Sequence, residues 1–241
     1  MTDTPAPDGS VAARWPEYRE DLQRPRPMTS LGIRALDDVI PVPQGRPVFV
    51  ALALPWEPAG ETPFVITQAL AKQGLHPLCI NPSWSPYWDG ALTVHRFDTP
   101  PEAGPTPYEH YKRWANGGPH RAVVIDGFSR LHWDAASSHD GREEVATDAG
   151  RGMLRLSRKL SGLVVVFLRR RTRDVVRMSV DDLRSDGALE YDTDALVMVD
   201  PHPETATADL LVVKHRNGPT GLRPGVPWPV LPRTIYRRTS R

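Results

Sequence analysis

The fold is decided by residues 47–74, PVFVALALPWEPAGETPFVITQALAKQG. In this stretch a short loop joins an apolar run to a helical pattern. Residues 47–54 are apolar and too few for a typical helix, which predicts a strand buried on both faces. Thr62 can cap a helix, Pro63 suits the first helical position, and Gly74 is typical of a helix end. A helix is therefore predicted from Pro63 to Gly74, and the stretch reads as one α/β unit.

The rest of the chain repeats this alternation of short apolar runs and longer helical stretches. Fully apolar strands that alternate with helices are typical of a parallel sheet covered on both faces. The sequence therefore predicts an α/β fold with a mostly parallel central sheet, whose ligands bind at the carboxyl ends of the strands. Further strands are predicted over residues 76–80, 121–126, 163–168, 195–200 and 209–215, and further helices over about 107–116 and 141–161.

Composition narrows the class of protein. The 241 residues suit one large α/β domain, and a hydrophobic content of 39% is enough for a single core. A net charge of +1 means that any site for nucleic acid must be local. The single cysteine, Cys79, excludes an intramolecular disulfide and fits a cytoplasmic protein. There is no signal peptide and no apolar run near the ~18 residues of a membrane span, so no membrane partner is expected.

Two stretches in the second half of the chain resemble the RecA-like motor domain of DnaB-type replicative helicases. DDLRSDGALEYDTDALVMV (181–199) is similar to the family's D-L-R-x-S/D-G-x-I/L-E-x-D-A-D, and KHRNGPTG (214–221) to its late K-x-R-N-G-P-T-G. SLGIRALDDVI (30–40) resembles the family's opening T-G-x-x-x-L-D, and AVVIDGFSRL (122–131) its Walker B strand. The resemblance implies a RecA-like P-loop NTPase fold.

The resemblance also sets the expected domain limits. It covers residues 28–221, which we expect to form one RecA-like domain. Residues 1–27 are rich in Pro, Asp and Arg, which predicts a disordered arm. Residues 222–241 are expected to form a C-terminal strand or a basic tail.

The loop after the first strand departs from a working phosphate-binding loop. Such a loop needs backbone N–H groups on a glycine turn, a lysine facing the phosphates, and a hydroxyl on Mg²⁺. Gly60 and Thr62 match this pattern, but Glu61 stands where the family has lysine. The resemblance places Asp126 at the end of the Walker B strand, where an acid holds Mg²⁺. These four residues are interpreted as the remnant of a nucleotide site, with metal at Asp126 only if Mg-nucleotide binds.

Charge and missing catalytic groups both argue against ATP chemistry. A change from Lys to Glu alters the charge beside a polyphosphate by two units, which could cost several kcal/mol, since one unit pair at ~4 Å is worth ~1–4 kcal/mol. Ser83 and Arg169 stand where the family has its catalytic glutamate and its strand-end glutamine. No catalytic residue and no cofactor are therefore expected. The alternative, a turn that never bound phosphate, stays open.

The resemblance implies a second set of residues that act on a neighbouring subunit. In DnaB-type rings ATP lies between subunits, and the K-x-R of the late strand reaches the neighbour's site as a finger. Lys214 and Arg216 match it here. This match predicts a homo-oligomeric ring or an assembly with a helicase. The alternative is that RNGPTG (216–221) is a structural hairpin turn with no role in assembly.

An arginine-rich stretch, RRRTRDVVR (169–177), follows the fourth predicted strand, where the helicase family has a DNA-facing loop. Arginines there could neutralise phosphates of single-stranded DNA in a salt-dependent way. The alternative is a solvated loop. The candidate DNA-binding residues are Arg169, Arg170, Arg171, Arg173 and Arg177.

These observations favour a DnaB-helicase-like protein with a degenerate ATP site, which serves as a non-hydrolysing DNA-associated or partner-binding subunit. One alternative is an active ATP-dependent DNA helicase or ATPase with an atypical P-loop, which would use Mg-ATP and a substitute cation such as Arg169. The other is an interaction module that binds neither nucleotide nor DNA.

Overall fold

The computed structural model describes residues 24–54, 62–81, 94–96, 121–126, 128, 139–169, 188–202 and 204–229, together with Pro16 and Glu20. The helix predicted over about 107–116 lies outside the described residues. No helix within them is long and apolar enough to cross a membrane.

One mixed sheet organises the described chain. Its strands are β1 (Val48–Leu54), β2 (Leu78–Asn81), β3 (Val94–Arg96), β4 (Ala122–Ile125), β5 (Leu163–Arg169), β6 (Ala195–His202), β7 (Thr207–His215) and β8 (Gly221–Pro227). Their order across the sheet is β3-β2-β4-β5-β1-β6-β7-β8. Strands β1 to β6 pair in parallel. β7 pairs antiparallel with β6, and β8 pairs antiparallel with β7. The described helices are α1 (Arg34–Asp37), α2 (Thr62–Lys72), α3 (His139–Leu160) and α4 (Ala188–Asp192).

The predicted α/β fold with a mostly parallel sheet is confirmed. All six predicted strands are present, as are the two predicted helices that fall within the described residues. The sequence did not predict β3, α1 or α4.

Both faces of the sheet are buried, which explains the unbroken apolar runs. Every residue of β1 is buried, and its side chains alternate between two core clusters. One cluster contains Leu52 together with residues of the N-terminal segment and α2. The other contains Phe49 together with residues of α3 and Leu189 of α4. Burial on both faces removes the need for polar alternation along the strand.

Ser30 fastens the N-terminal segment to two helices. Its hydroxyl donates to the Asp37 carboxylate over 2.6 Å, and the Leu31 N–H donates to the other oxygen of that carboxylate over 2.6 Å. Gln73, just beyond α2, accepts from the Ser30 N–H over 2.9 Å and donates to the Ser30 carbonyl over 2.7 Å. These bonds fix the helix that begins at Thr62, and so they help to position one side of the candidate site.

Candidate functional site

The strand and the helix that flank the candidate phosphate loop are both formed. β1 ends at Leu54, and α2 begins at Thr62, whose side chain is buried. Residues 55–61, including Gly60 and Glu61, lie outside the described residues. The structure thus places the start of a helix at this end of the sheet, and the chemistry of the loop rests on the sequence.

Asp126 lies at the same end of the sheet and is 5% exposed. It directly follows β4, which is separated from β1 by β5 alone, so Asp126 lies two strand spacings of ~4.8 Å to the side of β1, at about the level of Leu52. Ser83, the other residue predicted here, lies outside the described residues. The structure thus brings a buried carboxylate and the buried threonine at the start of α2 to the same end of the sheet.

Cys79 is a buried residue of β2, and the charge of Asp126 affects the pKa of its thiol. Burial raises the pKa of its thiol, a hydrogen bond with Thr67 lowers it, and the charge of Asp126 raises it further. Burial therefore favours the neutral form of this thiol, which is the less nucleophilic one. Among the described residues, no cluster of three or more His, Cys, Asp or Glu side chains could hold a metal ion.

Arg169 is brought next to the candidate loop by strand register. It is the last residue of β5 and pairs with Leu54, the last residue of β1. Its main chain therefore lies about 5 Å from the start of the loop, the usual spacing of paired strands. The remaining candidate DNA-binding arginines, Arg170, Arg171, Arg173 and Arg177, lie outside the described residues.

Lys214 and Arg216 lie at the opposite end of the sheet from Thr62 and Asp126. Because β7 runs antiparallel to β6, with His215 opposite Ala195, the end of β7 meets the beginning of the parallel strands. Ala195 in turn pairs with Val50 of β1, five residues before the loop begins at residue 55. At ~3.3 Å per residue, the end of β7 is therefore about 17 Å from the loop along the strand direction. Within one subunit the two sets of candidate residues are therefore well apart.

The Lys214 ammonium group is bound by the chain's own main chain. Its Nζ donates to the carbonyl of Glu190 and, over 3.0 Å, to the carbonyl of Tyr191, both in α4. A cation at this position satisfies carbonyls that the end of a helix leaves without partners. Burial and the neighbouring Arg216 lower the pKa of Lys214, and nearby carboxylates partly offset them.

Arg216 is tied to Asp194, the residue just before β6. The guanidinium Nη1 lies 2.6 Å from Oδ1 of Asp194, with the arginine side chain 49% exposed and the aspartate 19%. The other carboxylate oxygen accepts the N–H of Phe49 in β1 over 2.9 Å. Main-chain bonds complete the junction, since Asp194 donates to the Phe49 carbonyl over 2.7 Å and Arg216 donates to the Asp194 carbonyl over 2.8 Å. Sequence reasoning singled out Lys214 and Arg216 but missed these partners.

Among the solved structures with a similar architecture are two of helicase proteins. The ATPase domain of a helicase matches with a TM-score of 0.64 and 18% identity over 90% of this chain and 94% of that chain. A DnaB-like replicative helicase, described with its interactions with primase, matches with a TM-score of 0.62 and 17% identity over 88% of this chain. This chain spans 64% of that helicase. No family model and no curated protein matches the sequence.

At these identities the similarity establishes the fold alone. The chain has the RecA-like fold of DnaB-type helicase ATPase domains, as the sequence resemblance predicted.

Proposed function

We propose that this chain is a DnaB-helicase-like protein with a degenerate ATP site, which acts as a non-hydrolysing subunit that binds a partner or DNA. One observation carries the proposal. Thr62 and Asp126 are both buried at the end of the sheet where the helicase family binds Mg-nucleotide, while the residue before Thr62 is Glu61. This combination supports a site of nucleotide-binding ancestry in which the charge that must face the phosphates is reversed.

Electrostatics support the loss of ATP binding. Replacing the expected lysine with Glu61 disfavours a polyphosphate by several kcal/mol at the ~1–4 kcal/mol per unit pair that applies near a protein surface. This loss is equivalent to orders of magnitude in affinity. The N–H groups at the start of a helix such as α2 attract an anion, and the Glu61 carboxylate can be that anion. The protein then stabilises its own helix without nucleotide.

The opposite positions of the two sets of residues support a subunit contact. Within one chain, about 17 Å of strand separates the end of β7, just before Arg216, from the loop, at ~3.3 Å per residue. Only a head-to-tail arrangement brings the Arg216 end of one subunit to the Glu61 end of another. Such a contact is heterologous and closes into a ring when the rotation allows. The partner is therefore a second copy of this chain or a helicase subunit of the same fold.

A second candidate function is an active ATPase with an atypical loop. It is favoured by the pairing of Arg169 with Leu54, which brings an arginine main chain to the start of the loop. In that case Arg169 would replace the missing lysine and Asp126 would hold Mg²⁺.

Titration of the full chain with Mg-ATP, followed by calorimetry and by phosphate release, separates the two candidates. We expect neither binding nor turnover. Binding and turnover that disappear in both Arg169→Ala and Asp126→Asn would establish the second candidate and overturn the first. Glu61→Lys alone should restore nucleotide affinity without vigorous turnover, because Ser83 cannot act as the general base.

A further inference from the structure

The outer side of α3 carries a run of cations over its second half. Arg155 follows Arg151 by four residues, and Arg158 and Lys159 follow Arg155 by three and four, so all four side chains share one side of the helix. All four are exposed, whereas Met153 on the opposite side is buried in the core. At ~1.5 Å per residue the run is about 12 Å long.

Arg121 extends this run beyond the end of the helix. Its carbonyl accepts the N–H of Leu163 over 3.1 Å, three residues after α3 ends. Val123, two residues further on, belongs to the same core cluster as Met153 of α3. Because side chains alternate along an extended chain, Arg121 lies on the α3 side of the sheet, and it is exposed there.

Most of these cations have no carboxylate beside them. Arg151 has Asp148 at 3.9 Å, and Asp192 also approaches α3 at that level, since its Oδ2 would lie 3.2 Å from a Cβ added at Gly150. No ion pair among the described residues includes the four other cations. We call these four the α3 cationic surface, and they are Arg121, Arg155, Arg158 and Lys159.

The stability of the helix explains only part of this surface. Arg158 and Lys159 lie in the last turn of α3, where a cation is favoured by the helix dipole. The dipole effect falls off within that turn. Arg155 lies before the last turn and Arg121 lies outside the helix, so neither is needed there to stabilise it.

We propose that the α3 cationic surface binds the phosphate backbone of duplex DNA. The planar guanidinium of arginine pairs with phosphate through two parallel N–H donors, and three of the four residues are arginines. Duplex DNA carries one negative charge per ~1.7 Å of its axis, so a row of cations on a rigid helix meets several phosphates at once. The proposal goes beyond the proposed function, because α3 ends where β5 begins, at the opposite end of the sheet from Leu54 and the candidate loop.

The composition of this surface favours a duplex over a protein or a single strand. The large hydrophobic side chains exposed in the described part of the chain are Met28, Tyr191 and Leu222, and none of them belongs to α3 or to the segment that precedes β4. Protein contacts depend on apolar or aromatic anchors, and single strands are held largely by stacking of bases on aromatic side chains. A duplex offers its phosphates and needs neither.

Fluorescence anisotropy of a labelled, mixed-sequence duplex of about 20 base pairs, or two helical turns, tests the proposal on the full chain without nucleotide. We expect binding in the ~10⁻⁶–10⁻⁴ M range of non-specific complexes, with an affinity that falls as salt rises. Replacing Arg155, Arg158 and Lys159 together by alanine should weaken binding by about tenfold or more. It should also reduce the salt slope by almost 3, at ~0.9 per lost phosphate contact.

A second variant and a matched control separate this surface from helix stability and from net charge. Arg121→Ala lies outside α3 and should reduce the salt slope by about 1. The control removes the same number of exposed arginines elsewhere and should keep the wild-type slope; its substitutions are Arg24→Ala, Arg34→Ala and Arg223→Ala. Equal losses in the control and in the α3 triple variant would overturn the proposal.

Three other outcomes would also overturn it. The first is a wild type that does not bind the duplex, and the second is duplex binding that is lost on removal of the loop arginines Arg170, Arg171 and Arg173 but kept in the α3 triple variant. The third is displacement of the duplex by polyglutamate as readily as by unlabelled duplex, which would indicate an acidic protein as the partner. Mg-ATP turnover would refute the proposed function and leave this result standing, because the duplex is measured without nucleotide.

Discussion

Replacing Asp194 with alanine should destabilise the protein more than any change at its ion-pair partner. Asp194 joins three strands, because its carboxylate binds Arg216 beyond β7 and the Phe49 N–H of β1. The variant loses both side-chain contacts, while the main-chain bonds from Asp194 and Arg216 remain.

The two contacts differ in expected strength. A hydrogen bond from a buried N–H to a carboxylate contributes about 1.5–3 kcal/mol. An ion pair with a half-exposed arginine contributes at most about 1 kcal/mol. Asp194→Ala should therefore cost about 2–4 kcal/mol, which lowers Tm by about 4–16 °C in a domain of this size. Arg216→Ala should cost no more than about 1 kcal/mol, because Asp194 keeps the Phe49 N–H.

Urea and thermal unfolding, followed by circular dichroism, measure these losses. Asp209→Ala is the matched control, because that carboxylate also accepts a main-chain N–H, from Gly225 over 2.8 Å, and pairs with a side chain, His202 over 3.4 Å, but in a more exposed setting. We expect the control to lose about 1 kcal/mol. If Asp209→Ala or Arg216→Ala proved as costly as Asp194→Ala, the argument from burial would be refuted.

Three further outcomes are expected. Gly32→Ala should cost more than Gly74→Ala, because both glycines have positive φ but an added Cβ would lie 2.4 Å from an α2 side chain only at Gly32. Equal losses in unfolding free energy would contradict this. Cys79 should resist thiol reagents at pH 8 until urea unfolds the chain, because burial keeps the thiol neutral and inaccessible, and prompt labelling of the folded protein would be the contrary result. Replacing three loop arginines together should weaken single-stranded DNA binding, and the substitutions are Arg170→Ala, Arg171→Ala and Arg173→Ala. The slope of affinity against salt concentration should fall by about 2, at ~0.7 per lost phosphate contact. Unchanged binding would indicate a solvated loop.

The sequence predicted the central strands because burial on both faces leaves a strong signal. β1, β4 and β5 are apolar along most of their length, and no other element explains such short runs. The missed elements lack this signal. β3 has three residues, two of them polar, and α1 and α4 have four and five, too few to show a helical period.

The contacts at the end of β7 could not be predicted in the same way. Lys214 binds carbonyl oxygens of residues 23 and 24 positions earlier, and main-chain acceptors have no sequence signature. Asp194 had a weak signal, since it directly precedes the apolar run of β6. Its second partner, Phe49, is 145 residues away, and only the sheet order brings the two together.

Contacts within one subunit explain many residues of the two helicase-like motifs, residues 181–199 and 214–221. Leu189 and Thr193 are fully buried, and Asp194 joins β1 to β7. At Gly218 an added Cβ would lie 1.7 Å from the His215 ring, so a larger residue would require that ring to move. These contacts stabilise the fold of this chain and do not depend on ATP.

The motifs therefore indicate fold more strongly than chemistry. The positions that depart from the helicase pattern, Glu61, Ser83 and Arg169, are those that the resemblance assigns to ATP. Arg216 is the residue at which a contact role can be tested against a role in folding, because its side chain is 49% exposed in one subunit although it pairs with Asp194. If Arg216→Ala lowered stability but left association unchanged, the motif would be explained by folding alone, and the interface proposed for this end of the sheet would have to be abandoned.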